Sequence, residues 1–313
     1  MKLVVTGAAG RLAEVLIPHL LTDPRIEHIT GIDRRPQTFD HPRYRPVIAD
    51  VLDADLERYL EGADALVHMA FVLMGGGLGA RRLDREAVRT VNVTGTRKVF
   101  EAAVRQGVRH AVFVSSVAVY GAWPDNPPLI AEDSPLRPNP GFSYAEDKAA
   151  AETWLTDFET AHPGLRLARL RPHAILGPHA HALLARMLRQ PFYPLTLNPR
   201  PLTQCVWEDD VAEAVRLALH SDARGAFNLA AQPAMSLYDM LGLVRRTRLP
   251  LSLPLAERLQ RLAWRLTPAA GEPGWVGGLR YSLAVDSTRA EQLLGWRPAR
   301  DLAACVRQAA FPT

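Results

Sequence analysis

Through the first half of the chain, short apolar runs alternate with longer stretches whose apolar residues recur every three or four positions. That alternation is what β-α units around a parallel sheet produce. The runs predict strands over 2–6, 28–32, 45–49, 65–69, 110–115 and 165–170. Several of these are almost wholly apolar, as strands covered on both faces must be. Between them the longer period predicts helices over 12–21, 83–106 and 144–161. Beyond Arg171-Pro172 the pattern loosens, and 180–201 is short of period and broken by prolines. A helix over 209–220 and a buried strand over 225–230 follow, and from 232 onward the chain reads as mostly helical with proline breaks. The fold class this predicts is α/β, a doubly wound parallel sheet built from 1–172 and 203–231. A smaller, mostly helical C-terminal substrate lobe takes 173–202 and 232–313. There is no internal repeat and no low-complexity tail.

Composition narrows the partners. The 313 residues are 48% hydrophobic and 22% charged, ordinary for a soluble globular protein. The net charge is +4, but the arginines are scattered and aromatics are only 7%, so no nucleic-acid surface is expected. Cys205 and Cys305 are the only cysteines and have no metal-like or redox-like neighbours. Two buried thiols in a reducing compartment are the expectation. Met1-Lys2 leads straight into an apolar run too short for a signal peptide, and no stretch approaches the ~20 apolar residues of a membrane helix. A cytoplasmic protein acting on a small molecule, without a membrane partner, is expected.

The candidate chemistry begins where the first strand ends. Gly7 permits a tight turn there, and Gly10 would let a pyrophosphate approach the backbone at a helix N-terminus. Ala13 is small enough for helix-strand packing. The sheet is therefore expected to be Rossmann-type. Asp33, closing the second strand, can accept hydrogen bonds from ribose hydroxyls, which favours NAD over NADP. Arg34 and Arg35 beside it could instead hold a 2′-phosphate. Asp50 and Val51, after the third strand, are candidates for contact with an adenine ring; an ordinary capping aspartate before Leu52 is the equal alternative.

Tyr144 and Lys148 stand four apart, so in a helix they project from one face. A free phenol ionises near pH 10 and is a poor base at neutrality. A fixed cation about 5 Å away is worth ~3 kcal/mol at an effective dielectric of ~20, or about two pKa units. The spacing therefore predicts an acidified Tyr144 able to donate and accept a proton.

Together these segments resemble the extended short-chain dehydrogenase/reductases, the NAD-dependent epimerase/dehydratase family typified by UDP-glucose 4-epimerase. Thr6-Gly-Ala-Ala-Gly10 is similar to its cofactor loop, Val91-Asn-Val-Thr-Gly-Thr96 to its fourth-helix motif, and Ser115-Ser-Val-Ala-Val-Tyr-Gly121 to its serine strand. Arg171-Pro172, Gly177-Pro178, Asp210-Val-Ala212, Val285-Asp-Ser-Thr-Arg289 and Leu294-Gly-Trp296 match later landmarks. The resemblance implies a catalytic set of Ser116, Tyr144 and Lys148. It implies cofactor contacts at Gly7, Ala9, Gly10, Arg11, Leu12, Asp33, Asp50, Val51, Met69, Ala70, Asn92, Ser115, Tyr144, Lys148 and Pro172. Asn92 would hold backbone or a water near the cofactor, or be merely structural. The helices over 83–106 and 144–161 match those that pair across a homodimer axis in the family.

The substrate half departs from the sugar-nucleotide pattern. Ala174 stands where an asparagine usually touches substrate, Thr203 where an arginine usually clamps a diphosphate, and Leu176 where a tyrosine is usual. Val117-Ala118 replace the Asp-Glu pair of dehydratases. Phe71 through Gly79 could form an apolar wall or lid, or be a surface loop. His173, His179 and His181 lack a carboxylate or cysteine at ligand spacing, so no metal is expected. The leading expectation is an NAD-dependent epimerase or dehydrogenase/reductase acting on a sugar or sugar-nucleotide alcohol or ketone. Its rivals are a reductase of a less polar, steroid-like or phenolic ketone, and a non-catalytic NAD-binding regulator.

Overall fold

A computed structural model describes residues 1–53, 55–74, 83–180, 183–195, 200–267, 272–274 and 280–311. Strands β1 (Lys2–Thr6), β2 (His28–Asp33), β3 (Tyr44–Ile48), β4 (Ala65–His68), β5 (His110–Val114), β6 (Arg166–Pro172) and β7 (Gly225–Leu229) form one sheet. Its order is β7-β6-β5-β4-β1-β2-β3, with every neighbouring pair parallel. The predicted strands are all present, with ends moved by one or two residues. Chain order reverses between β1 and β4, the place where a crevice opens beyond the strand C-termini.

Both faces of the sheet are covered, which explains the unbroken apolar runs. Helices α1 (Arg11–Leu21) and α6 (Glu208–Leu219) close one face with Leu16, Ile17, Leu20, Val211 and Val215. Helices α3 (Thr96–Arg105) and α4 (Ser143–Ala161) close the other with Phe100, Leu155 and Phe158 against Phe113 of β5. A third cluster, including Leu188, Trp207, Met240, Leu241 and Val306, lies among the later elements. It also holds Cys205 and Cys305, both buried free thiols. Between α6 and the C-terminus lie α7 (Leu237–Leu243), α8 (Leu253–Leu266), α9 (Thr288–Leu294) and α10 (Leu302–Ala310). Short strands Met235–Ser236 and Thr247–Pro250 interrupt this helical stretch; each pairs with an earlier short strand, contacts no local period could announce.

The single helix expected over 83–106 is three segments. Helix α2 (Arg85–Arg89), capped by Asp84, passes into a π-helical turn, Thr90–Gly95, and then into α3. Gly95 lies so close to Val51 that a Cβ would come within 2.7 Å of its Cγ2. The widened turn sets Asn92 facing the loop after β4, and such turns gather at functional places. No helix among the described residues is long and apolar enough to cross a membrane.

Candidate active site

The bend after β1 is built for close approach. Gly7 has φ of +76°, and a Cβ on it would meet Ala70 N at 2.7 Å and the Met69 carbonyl carbon at 2.8 Å. Met69 N donates to Thr6 O at 3.1 Å, which draws the end of β4 against the bend. Gly10 caps α1 without a side chain, so no hydroxyl or carboxylate covers the amides of Arg11 and Leu12 that open the helix. An anion would complete that terminus. Asp33 stands beside it: Ala9 N donates to Oδ2 at 3.0 Å and Arg35 N to Oδ1 at 2.9 Å. The Arg35 guanidinium reaches back to Ala9 O at 2.6 Å.

Asp50 accepts from Leu52 N at 3.0 Å and faces Arg34 at 3.2 Å, so it caps its own turn. Val51 is buried in the core behind the sheet. Pro172 ends β6 opposite Leu229, also buried. These three positions are held by the fold in the structure as it stands.

Helix α4 carries Tyr144 and Lys148. Ser116, just past β5, lies near the Tyr144 phenol and accepts from Ala118 N at 3.2 Å. Lys148 is buried; its ammonium donates to Val114 O at 2.6 Å and lies 3.7 Å from the centre of the Phe71 ring and 4.6 Å from that of Phe113. Phe71 also meets the Tyr144 ring edge-on at 5.6 Å. Serine, tyrosine and lysine therefore converge at the rim of β5, with the residue that opens the loop 71–79 laid against them. Residues 75–79 of that loop lie outside the described residues.

The electrostatics correct the sequence-based expectation. Burial pushes Tyr144 up to about 12, with the Ser116 hydroxyl pulling the other way. Lys148 is pushed down to about 7 by burial, opposed by the Glu152 carboxylate. Burial therefore sets the phenol above its ordinary value, where the spacing had predicted a lowered one. Four-residue spacing put both groups on one face, but desolvation exceeds the Coulombic gain, and the ammonium sits 5.9 Å from the Tyr144 ring centre, turned to Val114 and the two phenylalanines.

Residues that sequence reading missed hold this constellation. Asp147, wholly buried, takes a bidentate pair from Arg85 at 2.7 and 2.9 Å, a bond from Arg89 at 3.1 Å and one from Asn92 at 3.0 Å. Asn92 also accepts from Val72 N at 2.7 Å and donates to Val72 O at 3.0 Å, fixing the backbone beside Phe71. His68 bridges Thr6 at 2.6 Å and Thr96 at 3.0 Å, and burial, then the Lys148 charge, pushes it down to about 3, so it is neutral. Glu152, one turn beyond Lys148, takes the Arg171 guanidinium through Nε and Nη2 and accepts from the Ser115 hydroxyl. Ser115 is thus committed by its side chain to this pair. Arg171 also donates to Tyr120, which donates to Asn228 at 2.8 Å. The spacing from Tyr144 to Asp147 and from Lys148 to Glu152 was a usable signal for one helix face.

The later landmarks serve architecture. Trp296 Nε1 donates to Asp210 O at 2.8 Å and Ala299 N to Asp210 Oδ1 at 2.9 Å, locking α9 onto α6. His173 bonds Leu283 O at 3.0 Å and is pushed down to about 4 by burial, while His179 pairs with Glu208 at 2.8 Å. The two histidines have separate partners, and His181 lies outside the described residues.

A seven-stranded Rossmann-type sheet with a glycine bend at its switch point, and a Tyr/Lys helix on the neighbouring rim, defines an enzyme of the extended short-chain dehydrogenase class. The chain belongs to the NAD dependent epimerase/dehydratase family, whose model matches residues 3–230. It is 29% identical over 330 residues to a dTDP-glucose 4,6-dehydratase of Streptomyces griseus, covering 96% of this chain and 90% of that protein. It is also 29% identical over 326 residues to a UDP-glucose 4-epimerase of Mycolicibacterium smegmatis, covering 95% and 94%. Among solved structures, MoeE5 in complex with UDP-glucuronic acid and NAD superposes with a TM-score of 0.76 at 21% identity, over 98% of this chain and 96% of that one.

Proposed function

We propose that the chain interconverts a secondary alcohol and its ketone on a sugar or sugar nucleotide, using NAD, with Tyr144 exchanging the hydroxyl proton. The observation that carries this reading is the convergence of Ser116, Tyr144 and Lys148 on the β5 rim, two strands from the Gly7–Gly10 bend.

The residues present fit the dinucleotide. A side chain at Gly7 would strike the Met69-Ala70 backbone, and the uncapped start of α1 is a pyrophosphate seat. Asp33, one carboxylate oxygen on Ala9 of the bend and the other on Arg35, suits ribose hydroxyls and repels a 2′-phosphate. NAD held there would supply the hydride acceptor and donor. Ser116 fixes the reacting oxygen against Tyr144, whose phenol takes or gives the proton. Lys148, held by Val114 O and against the Phe71 ring, would supply the cation beside the phenol. Asn92 holds the Val72 backbone so that this wall keeps its position.

The hydrocarbon side chains of Val117 and Ala118 follow Ser116, and neither can serve as the acid of an elimination. That favours epimerisation or simple oxidoreduction over dehydration. Ala174, Thr203 and Leu176 offer no charged clamp for a diphosphate, which keeps a less polar ketone as the second reading. A purely regulatory NAD-binding role is disfavoured by the intact Ser116–Tyr144–Lys148 set. We read the faces of α3 and α4 as the pairing surface of a homodimer, as the family resemblance implies.

A panel of UDP- and dTDP-sugars incubated with the enzyme and NAD, followed by chiral product analysis, tests the reading. NAD-dependent oxidation or inversion of at least one sugar nucleotide is expected. Turnover confined to steroid-like or phenolic ketones would overturn the sugar assignment.

A further inference from the structure

Helix α4 begins without a cap of its own. Its N-cap residue is Phe142, whose side chain can accept nothing. The amides of Ala145 and Glu146 return to Phe142 O at 3.0 and 3.1 Å, which leaves those of Ser143 and Tyr144 to be satisfied elsewhere. A carboxylate from far along the chain answers the first of these and lies beside the second. Glu272 accepts from Ser143 N at 3.3 Å and from Ser143 Oγ at 2.7 Å, close to the Tyr144 amide. Burial raises the Glu272 carboxyl, opposed by the Ser143 bonds and then by the charge of Arg85.

The approach is close enough to dictate a residue type. Gly274 N donates to Gly141 O at 3.2 Å, and a Cβ on Gly274 would fall on the backbone of Gly141 and Phe142. Gly141 itself has φ of +74°. Two glycines thus let one stretch of backbone lie directly on another, and the carboxylate two residues earlier reaches the helix start.

We propose that Glu272 is a positioning residue for Tyr144: the segment Glu272–Gly274 straps the start of α4 and thereby sets where the phenol stands. The catalytic part of this proposal rests on the reading of Tyr144 given above; the strap does not. Its chemistry is that of a helix cap supplied from a distance. A carboxylate on the first-turn amides also matches the positive end of the helix dipole.

Amide hydrogen exchange and tyrosine titration test it on the full-length protein. In Glu272→Ala, exchange at Ser143 and Tyr144 is expected to quicken at least about fivefold, the factor that loss of a helix cap carries. Glu272→Gln keeps an acceptor and should restore most of that protection. Gly274→Ala leaves the carboxylate in the chain but obstructs the approach, so it should reproduce the alanine effect without removing any charge. In all three variants the Tyr144 phenol is followed by NMR of ring-labelled tyrosine, assigned by difference from Tyr144→Phe. Quickened exchange together with a shifted Tyr144 titration supports the proposal. Exchange unchanged in both Glu272→Ala and Gly274→Ala overturns the strap. Quickened exchange with an unmoved phenol overturns the positioning role and leaves a structural cap. Exchange reads the strap whether or not Tyr144 proves to be catalytic, so failure of one reading is not mistaken for failure of the other.

Discussion

Replacing Tyr144 with phenylalanine is expected to lower turnover about a hundred- to ten-thousandfold, the range that a positioned acid–base group supplies, while NAD binding changes little. The substitution deletes one oxygen. The ring keeps its edge-on contact with Phe71 at 5.6 Å and its neighbour Phe142 at 5.8 Å, so the rim of the site should hold its shape. What is lost is the phenol oxygen beside Ser116. Calorimetric NAD titration beside steady-state assays separates the two effects. Turnover within about tenfold of the parent would remove Tyr144 from the chemistry.

The second large effect lies one layer below. Glu152 and Arg171 are a buried ion pair, their side chains 1% and 6% exposed. Glu152→Leu leaves the guanidinium with only Tyr120 and the Glu132 carbonyl as acceptors, and strands the Ser115 hydroxyl. Breaking such a pair from one side costs about 3–5 kcal/mol, because a charge remains buried without its partner. Urea unfolding should show a loss of that size. The double variant Glu152→Leu with Arg171→Met should regain part of it, since no charge is then left behind. A single-variant loss below about 1 kcal/mol would show that water reaches the guanidinium and that the pair is not the keystone of this rim. The site and its stability are joined here: Glu152 also opposes the loss of charge on Lys148.

The sheet was legible because its signal is local. Strands covered on both faces must be apolar throughout, and β1, β4 and β5 are buried along nearly their whole length. The glycine bend was legible for the same reason: Gly7 adopts a conformation that other residues rarely enter, directly after a strand. Helix spacing placed Tyr144 and Lys148 together correctly. It could not give their ionisation, since that depends on how much water the assembled fold removes. Nor could local period reveal the π-helical turn at Thr90–Gly95, whose Gly95 packs closely against Val51 from a different part of the chain. Glu272 at α4 and Arg171 at Glu152 are long-range partners with no local signature. Asp147 and Glu152 are different: they share the inward face with Tyr144 and Lys148, and the spacing to find them was in the sequence.

Asp33, read from its place at the end of β2 as a partner for ribose hydroxyls, has a carboxylate that already serves the Ala9 and Arg35 amides. Both oxygens retain further acceptor capacity. The same residue can therefore order the bend and meet a hydroxyl.

The central claim is that Tyr144 carries the proton, and the tension in it is a phenol that burial raises to about 12. Its most direct test is an NMR pH titration of ring-labelled tyrosine in the NAD-saturated enzyme, with the Tyr144 signal assigned by its absence in Tyr144→Phe. A working proton carrier should ionise at least about two units lower than in the free protein, the shift that one nearby fixed cation can supply. A phenol that still titrates near 12 with NAD in place would contradict the account.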